Sequence, residues 1–427
     1  MATNTYLPHV GGVARSVSTF VDEFRRNGHR VLVLAPVFDG VPPEETDVVR
    51  CPAIQRYNGT DFSIPMGFAG RVASRLEGVP VDLVHSHHPF LLGDTALRIS
   101  ASRGVPVVFT HHTMYEEYTH YVPGDSARLK YFAVEVVTGY CNLCDAVIAP
   151  SASVARLLDQ RGVEVPVEVI PTGVDLEIFR PGDASAFRRR LGIPPDAFVI
   201  GHAGRLAPEK NIILLVEVLT RVLTSDGSAH VLIAGDGPLR ADVIAAFGRH
   251  GMWRRLHMTG SLGWDELCQA YRAMDVFAFA SHTETQGMVI AEALASGLPV
   301  VAVDASGVRE VVRDGVNGFL LPDEDRTAFV RALSALGSDR DLRRSMSAGA
   351  RRSVEHLSKQ RMAARTLELY DDCIARGAAT RPLGGSTWSM ARRRFAEELK
   401  IIRNIVHAAG DAVIFGPSHD ARHVQVL

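Results

Sequence analysis

Apolar positions recur with two different periods along this chain. Short strand-like runs occupy the first half: "RVLVLAP" (30–36), "VDLVHS" (81–86), "VPVVFT" (105–110), "DAVIAPS" (145–151) and "VEVIPTG" (167–173). A second series follows: "FVIGHAG" (198–204), "HVLIAG" (230–235), "RLHMTG" (255–260), "DVFAFAS" (275–281) and "PVVAV" (299–303). Helical patterns lie between them. In one, Val13, Val17, Phe20, Val21 and Phe24 share a face and Gly28 supplies the stop. Such alternation of strand and helix predicts α/β architecture, with parallel sheets covered by helices on both faces. Ligands of such sheets bind at the carboxyl ends of the strands.

The pattern breaks once in mid-chain. "GVDLEIFRPGDASAFRRRLGIPPDAF" carries Pro181, Gly182, Pro194 and Pro195, and a domain boundary is expected near 180 to 195. Residues 1–180 then form one doubly wound, Rossmann-like domain and residues 190–375 a second, facing each other across a cleft. Residues 376–427 read as a linker, "GAATRPLGGSTWSM" (377–390), and a C-terminal amphipathic helix, "ARRRFAEELKIIRNIVHAAG" (391–410). Phe395, Leu399, Ile402 and Val406 recur there at helical spacing, flanked by Arg392–Arg394, Lys400 and Arg403. The favoured expectation is that this apolar face packs on the first domain. The competing one is that it lies on an anionic membrane.

Composition narrows the function classes. At 427 residues, two domains are the natural division. A net charge of −2 gives no basic field for nucleic acid. Five cysteines make a sparse, odd set that suits a reducing cytoplasm. Cys141 and Cys144 form a CxxC in a helical run, with no second pair to complete a zinc set. No apolar run approaches the roughly 18–20 residues of a membrane span, so any membrane contact is peripheral.

Three stretches carry candidate chemistry. Gly11 and Gly12 open a helix, where a phosphate can approach backbone N–H groups. The GxGxxG and GxxxxGK[ST] patterns are absent. In "GRLAPEKN" (204–211), Arg205 and Lys210 lie across a turn after a strand and can clamp a diphosphate. In "SHTETQGMVIAEALASG" (281–297), Glu284 precedes a helix start near Gly287 or Met288, and Glu292 lies about a turn inside. Ionised carboxylates only accept hydrogen bonds, which suits a sugar or ribose diol. The alternatives are a capping acid at Glu284 and a surface acid at Glu292.

Taken together these stretches resemble glycosyltransferase family 4, retaining enzymes of the GT-B fold. "ETQGMVIAEALASGLPVVA" matches that family's E-x7-E segment. "GRLAPEKN", "IAGDGPLR" (233–240), "GVREVVRDGVNGFLL" (307–321) and "IPTGVD" (170–175) fit its usual order over roughly residues 4–370. The resemblance implies that Gly11 and Gly12 approach the donor diphosphate and that Arg205 and Lys210 neutralise it. It implies that Glu284 holds donor sugar hydroxyls with the amides of Gln286, Gly287 and Met288, and that Glu292 binds the ribose. His112, or alternatively His111, aligns with the active-site histidine.

"HSHHPFLLG" (85–93) and "THHTMYEEYTHYVP" (110–123) look most like the diacylglycerol α-glucosyltransferase branch, with phosphatidylinositol mannosyltransferases as neighbours. Tyr115, Tyr118 and Tyr121 recur every three residues, where they line an acceptor groove or pack a helix. The implied reaction moves a hexose from a nucleotide sugar, UDP-glucose favoured, to a lipid at the inner face of the cell membrane. It needs no metal or other cofactor, and "DED" (323–325) reads as helix-capping acids. The rival classes are a nucleotide-sugar epimerase and a non-catalytic binding subunit. The family begins with a full apolar strand where this chain has only "MATNT" before "YLPHVGG", so a true start upstream or an unusually short strand is expected.

Overall fold

The computed structural model describes residues 1–9, 11–41, 45–54, 63–65, 76–121, 125–322, 324–380 and 387–414. The chain divides into two compact units, Met1–Gly173 with the chain from Lys359 onward, and Val174–Ser358.

The first unit is built on a parallel sheet. β1 (Val33–Pro36) pairs with β2 (Val48–Cys51). β5 (Val84–Ser86), β6 (Val107–Thr110), β7 (Ala146–Ala149) and β8 (Val167–Val169) follow in that order. Between these come a small antiparallel ribbon, β3 (Ala53–Ile54) and β4 (Ile64–Pro65). Residues 1–3 join the two parts of the sheet. Ala2 bridges Leu34 on one side and Ser86 on the other, and the Thr3 amide donates to the Leu34 carbonyl at 3.0 Å. Residues 1–3 therefore take the central place in the sheet. The helices are α1 (Gly12–Arg26), α2 (Leu92–Arg103), α3 (Ala127–Asn142) and α4 (Ala152–Gln160).

The second unit holds a six-stranded parallel sheet in the order β11–β10–β9–β12–β13–β14. These strands are β9 (Phe198–Ala203), β10 (Ala229–Ala234), β11 (Leu256–Gly260), β12 (Val276–Phe279), β13 (Val300–Val303) and β14 (Gly318–Leu321). Val199, Phe277 and Val300 face one core, while Ile200, Val276 and Val301 face the other. Strands buried on both faces read as continuous apolar runs, which is why the sequence shows them so plainly. The covering helices are α5 (Ser185–Leu191), α6 (Ile212–Ser225), α7 (Arg240–Arg249), α8 (Trp264–Arg272), α9 (Met288–Ala295), α10 (Arg326–Ser338) and α11 (Arg340–Val354).

Two long helices, α12 (Lys359–Thr380) and α13 (Thr387–Ile414), then complete the first unit. The expected boundaries shift accordingly. The chain changes unit at Gly173–Val174 rather than at 180 to 195, and returns at Ser358–Lys359 rather than ending the second domain at 375. The prolines at 181, 194 and 195 flank α5, which packs into the second unit through Phe187. Residues 377–380 end α12 and 387–390 begin α13, so the expected linker is largely helical; 381–386 lie outside the described residues.

α12 packs on α1, where Met362 and Leu369 join Val17, Phe20 and Phe24 in one core. Lys359 Nζ approaches the buried Glu23 carboxylate at 3.3 Å. α13 packs on α2 and α3, but not by the face that periodicity suggests. Ile401, Ala408 and Ala412 are buried, while Phe395, Leu399, Ile402 and Val406 are 52 to 67% exposed. Polar and small groups select that face. Glu398 takes two bonds from Arg98 (2.5 and 3.1 Å), and Asn404 donates to the Val136 carbonyl (3.1 Å) over Gly139, where a Cβ would collide with it.

At the return point a Cβ on Gly173 would stand 2.2 Å from the Lys359 Cα. Backbone on both sides leaves no room to yield. Gly173→Ala is expected to cost about 1–3 kcal/mol, read as a lowered urea midpoint at unchanged m-value.

Candidate active site

The sheet of the second unit reverses direction between β9 and β12. From β9 the chain proceeds outward through β10 and β11, and from β12 through β13 and β14 on the other side. The helices leave on opposite faces there and open a crevice at the carboxyl ends. The loop after β9 carries Arg205 and Lys210, and the loop after β12 carries Glu284. Lys210 Nζ donates to Glu284 Oε1 at 2.6 Å across the reversal. Ser281 Oγ and Thr283 Oγ1 donate to the Glu209 carbonyl at 3.3 Å, knitting the two loops. Burial alone would raise the Glu284 carboxyl. The Lys210 charge and hydrogen bonds from Lys210 and Ser281 outweigh it, holding the group below its ordinary value. Arg205 is half-buried in the same loop as Lys210.

The supporting loops explain the remaining motif. In "IAGDGPLR" the Asp236 carbonyl accepts from the Leu206 amide, and the Leu239 amide donates to the Leu206 carbonyl, both at 2.9 Å. This segment fixes the Arg205 loop from behind. Gly287 sits in left-handed backbone (φ +69°) as the N-cap of α9, with no side chain capping the helix. The first-turn amides of α9, beside Gln286, therefore remain a place for an anion or hydroxyl oxygens. The Gly307 amide donates to the Glu284 carbonyl at 2.8 Å, and a Cβ there would stand 2.5 Å from the Gln286 nitrogen. Sequence reasoning missed Gly307; its signal was the glycine opening "GVREVV".

Glu292 is 3% exposed, which removes its reading as a surface acid. Its Oε2 accepts from the hydroxyl of the fully buried Tyr271 at 2.9 Å. Tyr271 was also missed, because nothing in sequence links it to a residue 21 positions away. The expected capping acids divide. Asp325 Oδ1 caps α10, accepting from the amides of Thr327 and Ala328 at 2.8 and 3.1 Å. Glu324 instead binds Asn211 (2.7 Å) and His282 (2.8 Å), and Asp323 lies outside the described residues.

The first unit repeats the arrangement. Its strand order reverses between residues 1–3 and β5. Gly11 caps α1 and Gly12 is its first residue; a Cβ on Gly12 would touch nothing within 4 Å, so packing does not demand glycine there. His87 and His88 follow β5, and His111 and His112 follow β6. His87 Nδ1 and His112 Nε2 share a hydrogen bond at 3.0 Å. His85 bonds the Tyr370 hydroxyl of α12 and, at 2.7 Å, Thr110 Oγ1. The chain therefore runs Tyr370, His85, His87, His112, with the His85 and His87 rings 4.1 Å apart.

Burial separates His111 from His112. His111 is fully enclosed with neither ring nitrogen hydrogen-bonded, whereas His112 is half-buried. A buried Arg161–Glu116 pair (2.5 Å) acts on His111. Tyr115 meets Phe90 edge to face at 5.0 Å and heads a 3₁₀ helix, Tyr115–Tyr121, whose three-residue period sets Tyr118 on the same side; the Tyr121 side chain lies outside the described residues. Cys141 and Cys144 are both buried at the end of α3; burial pushes the Cys141 thiol up to about 12 and Cys144 upward as well, so neither is a nucleophile at neutral pH.

Comparison with known proteins shows the family. Residues 10–178 match Glycosyltransferase Family 4, and residues 183–353 match Glycosyl transferases group 1. A GDP-mannose-dependent alpha-mannosyltransferase of Mycobacterium tuberculosis is 32% identical over 338 residues, covering 75% of this chain and 83% of that protein. The chain belongs to glycosyltransferase family 4. An alpha-monoglucosyldiacylglycerol synthase of Streptococcus pneumoniae is 29% identical over 87% of this chain and 85% of its own. The fold of this glycosyltransferase is GT-B. Sucrose-phosphate synthase from Thermosynechococcus elongatus matches with a TM-score of 0.73 at 22% identity, covering 86% of this chain and 94% of that one. Anabaena HepE in complex with UDP and glucose matches at 0.69 and 21%, covering 87% and 98%.

Two expectations follow for this glycosyltransferase. Burial pulls His88 and His112 down to about 3 and His111 and His202 to about 4, so all four are neutral in the native protein. In the unfolded chain they take a proton near 6.5, so the unfolded state binds more protons below that pH. Stability is then full above pH ~6.5 and falls toward pH ~4, by up to ~1.4 kcal/mol per pH unit for each histidine. Urea midpoints at pH 7.5 and 5.0 measure it, and a flat profile would contradict the assignment. Tyr271→Phe removes the bond that orients Glu292 and is expected to cost about 1 kcal/mol of stability, read by thermal denaturation.

Proposed function

We propose that this glycosyltransferase moves glucose from UDP-glucose to the hydroxyl of a lipid such as diacylglycerol, with retention of the α configuration. The observation that carries the donor half is the Lys210–Glu284 pair at the strand-order reversal, beside the uncapped start of α9. An incoming diphosphate competes for the Lys210 ammonium and for Arg205. Glu284, released from Lys210 and ionised, then accepts from the sugar hydroxyls. The amides of Gln286, Gly287 and Met288 add donors, Gly12 admits the diphosphate at α1, and Glu292, set by Tyr271, takes the ribose diol. As the bond from the anomeric carbon to phosphate breaks, Arg205 and Lys210 stabilise the charge growing on the diphosphate. The acceptor oxygen attacks from the same face and passes its proton to the leaving phosphate. His112, neutral and half-buried, stands at the acceptor side, with Tyr115 and Tyr118 as lining.

The lipid acceptor is supported by the names of the synthases from Streptococcus pneumoniae and Acholeplasma laidlawii, which share 29% and 28% identity with this chain. It is also supported by α13. No helix among the described residues is long and apolar enough to cross a membrane. The exposed stripe of Phe395, Leu399, Ile402 and Val406, bordered by exposed Lys400 and Arg403, suits the surface of an anionic bilayer. Mannosyl transfer from GDP-mannose is the second reading, favoured by the 32% identity to two mannosyltransferases with that donor.

Release of nucleotide diphosphate from UDP-glucose, UDP-galactose, UDP-N-acetylglucosamine and GDP-mannose, with and without diacylglycerol vesicles, tests the reading. UDP release that depends on diacylglycerol is expected, and release from GDP-mannose alone would favour the second reading. Glu284→Gln is expected to lower kcat by about 100-fold or more without unfolding the protein, and wild-type turnover would remove Glu284 from the mechanism. Leu399→Glu with Ile402→Glu is expected to abolish flotation with phosphatidylglycerol vesicles while the fold is retained.

A further inference from the structure

The opposite end of the second unit's sheet holds a second cluster of charge. Asp275 and Pro299 immediately precede β12 and β13, whereas the Glu284 loop follows β12. The length of β12, four residues at roughly 3.3 Å each, separates the two ends. At this amino end lies a pocket of about 380 Å³, lined by Arg272 from α8 and by Arg340, Arg343 and Arg344 from the first turns of α11.

These arginines have few carboxylate partners. Arg272 is held by main-chain carbonyls, Nε by Arg180 at 3.0 Å and one terminal nitrogen by Ile178 at 2.8 Å. Arg343 is held by the carbonyls of Leu336 and Gly337 and lies over the Phe198 ring at 5.4 Å. Both are aimed without being neutralised. Arg340 makes no hydrogen bond or ion pair among the described residues. Among the described residues Arg344 pairs with Asp341 alone, at 3.3 Å, with both side chains more than 80% exposed, a pair worth little in water. The one acid lining the pocket, Asp275, is already committed through Oδ2 to Arg188 (2.9 Å) and the Val199 amide (2.8 Å).

One glycine packs directly on a pocket guanidinium: a Cβ on Gly182 would stand 3.1 Å from Arg272 Nε. The hydroxyls of Ser296 and Ser347 line the same pocket. Forked cations held by backbone, with small residues over them, match the planar recognition of phosphate oxygens.

We propose that this arginine pocket is a second anion site, separate from the donor site, that takes a phosphate-bearing ligand of about sugar-phosphate size. The shared chemistry is a phosphate with room beside it for a polar body. The source is either a soluble phosphate ester or a phospholipid head group.

The test compares three full-length proteins: wild type, Arg340→Gln with Arg344→Gln, and Arg205→Gln with Lys210→Gln. Among the described residues the Arg340 and Arg344 side chains hold no main-chain carbonyl, so their variant is expected to keep its Tm and its basal transferase activity. Titration with glucose 6-phosphate, with the donor site occupied by saturating UDP, is followed by calorimetry. The sugar phosphate should bind wild type and the Arg205/Lys210 variant, and bind the Arg340/Arg344 variant at least about tenfold more weakly. Equal affinity for the Arg340/Arg344 variant, or binding lost only in the Arg205/Lys210 variant, would overturn the site. A third arm floats the same proteins with phosphatidylglycerol vesicles in the presence of glucose 6-phosphate. Competition by the sugar phosphate that disappears in the Arg340/Arg344 variant assigns the pocket to head groups. Flotation indifferent to it, with soluble binding intact, assigns the pocket to soluble esters, and neither response in wild type overturns the proposal.

Discussion

A parallel sheet whose strand order reverses must part its flanking helices at the reversal, and both units of this protein are organised around that constraint. In the second unit the reversal lies between β9 and β12, and the Lys210–Glu284 pair spans it. In the first it lies between residues 1–3 and β5, and Gly12 and the histidines after β5 and β6 gather there. The residues come from distant stretches of chain, yet each lies in a loop that leaves the carboxyl end of a strand. The strand burial explains their precision. Val199, Ile200, Val276 and Phe277 are fully enclosed, so the loops that follow start from fixed points.

The Lys210–Glu284 pair and the His87–His112 pair are held by different electrostatic means. The first keeps full charges, and the cost of burying them is offset by pairing Lys210 with Glu284 at 2.6 Å. The second buries histidines and keeps them neutral, linked in a chain from Tyr370 to His112. Charge belongs where a diphosphate must be held and where charge develops. Neutral imidazoles both donate and accept hydrogen bonds without attracting an anion.

Much of this was legible in the sequence, and what was not has identifiable physical causes. All ten apolar runs became strands of the sheets, because burial on both faces imposes unbroken hydrophobic segments. The start of α9 at Met288 was legible from Gly287, and the first face of α1 from Val17, Phe20, Val21 and Phe24. The unit boundary was misplaced by the prolines around α5, which mark turns without marking a change of core. The packed face of α13 was misjudged because periodicity reports where apolar residues lie, not which face meets a neighbour. Glu398, Asn404 and Ala408 decide that, through Arg98 and Gly139. Tyr271 and Gly307 were hidden because their roles are set by tertiary contacts with Glu292 and the 284–286 loop.

The return of α12 to the first unit also sets an order of events during synthesis. Residues 174–358 form a unit continuous in sequence, and they can close on their own as soon as they leave the ribosome. The first unit cannot. Val17, Phe20 and Phe24 wait for Met362 and Leu369, and His85 waits for Tyr370. At about 5–20 residues per second the wait is roughly seventeen to seventy seconds. For that interval the nascent chain carries an uncovered apolar face on α1 and an incomplete histidine array. The part of the protein made first is thus the part finished last.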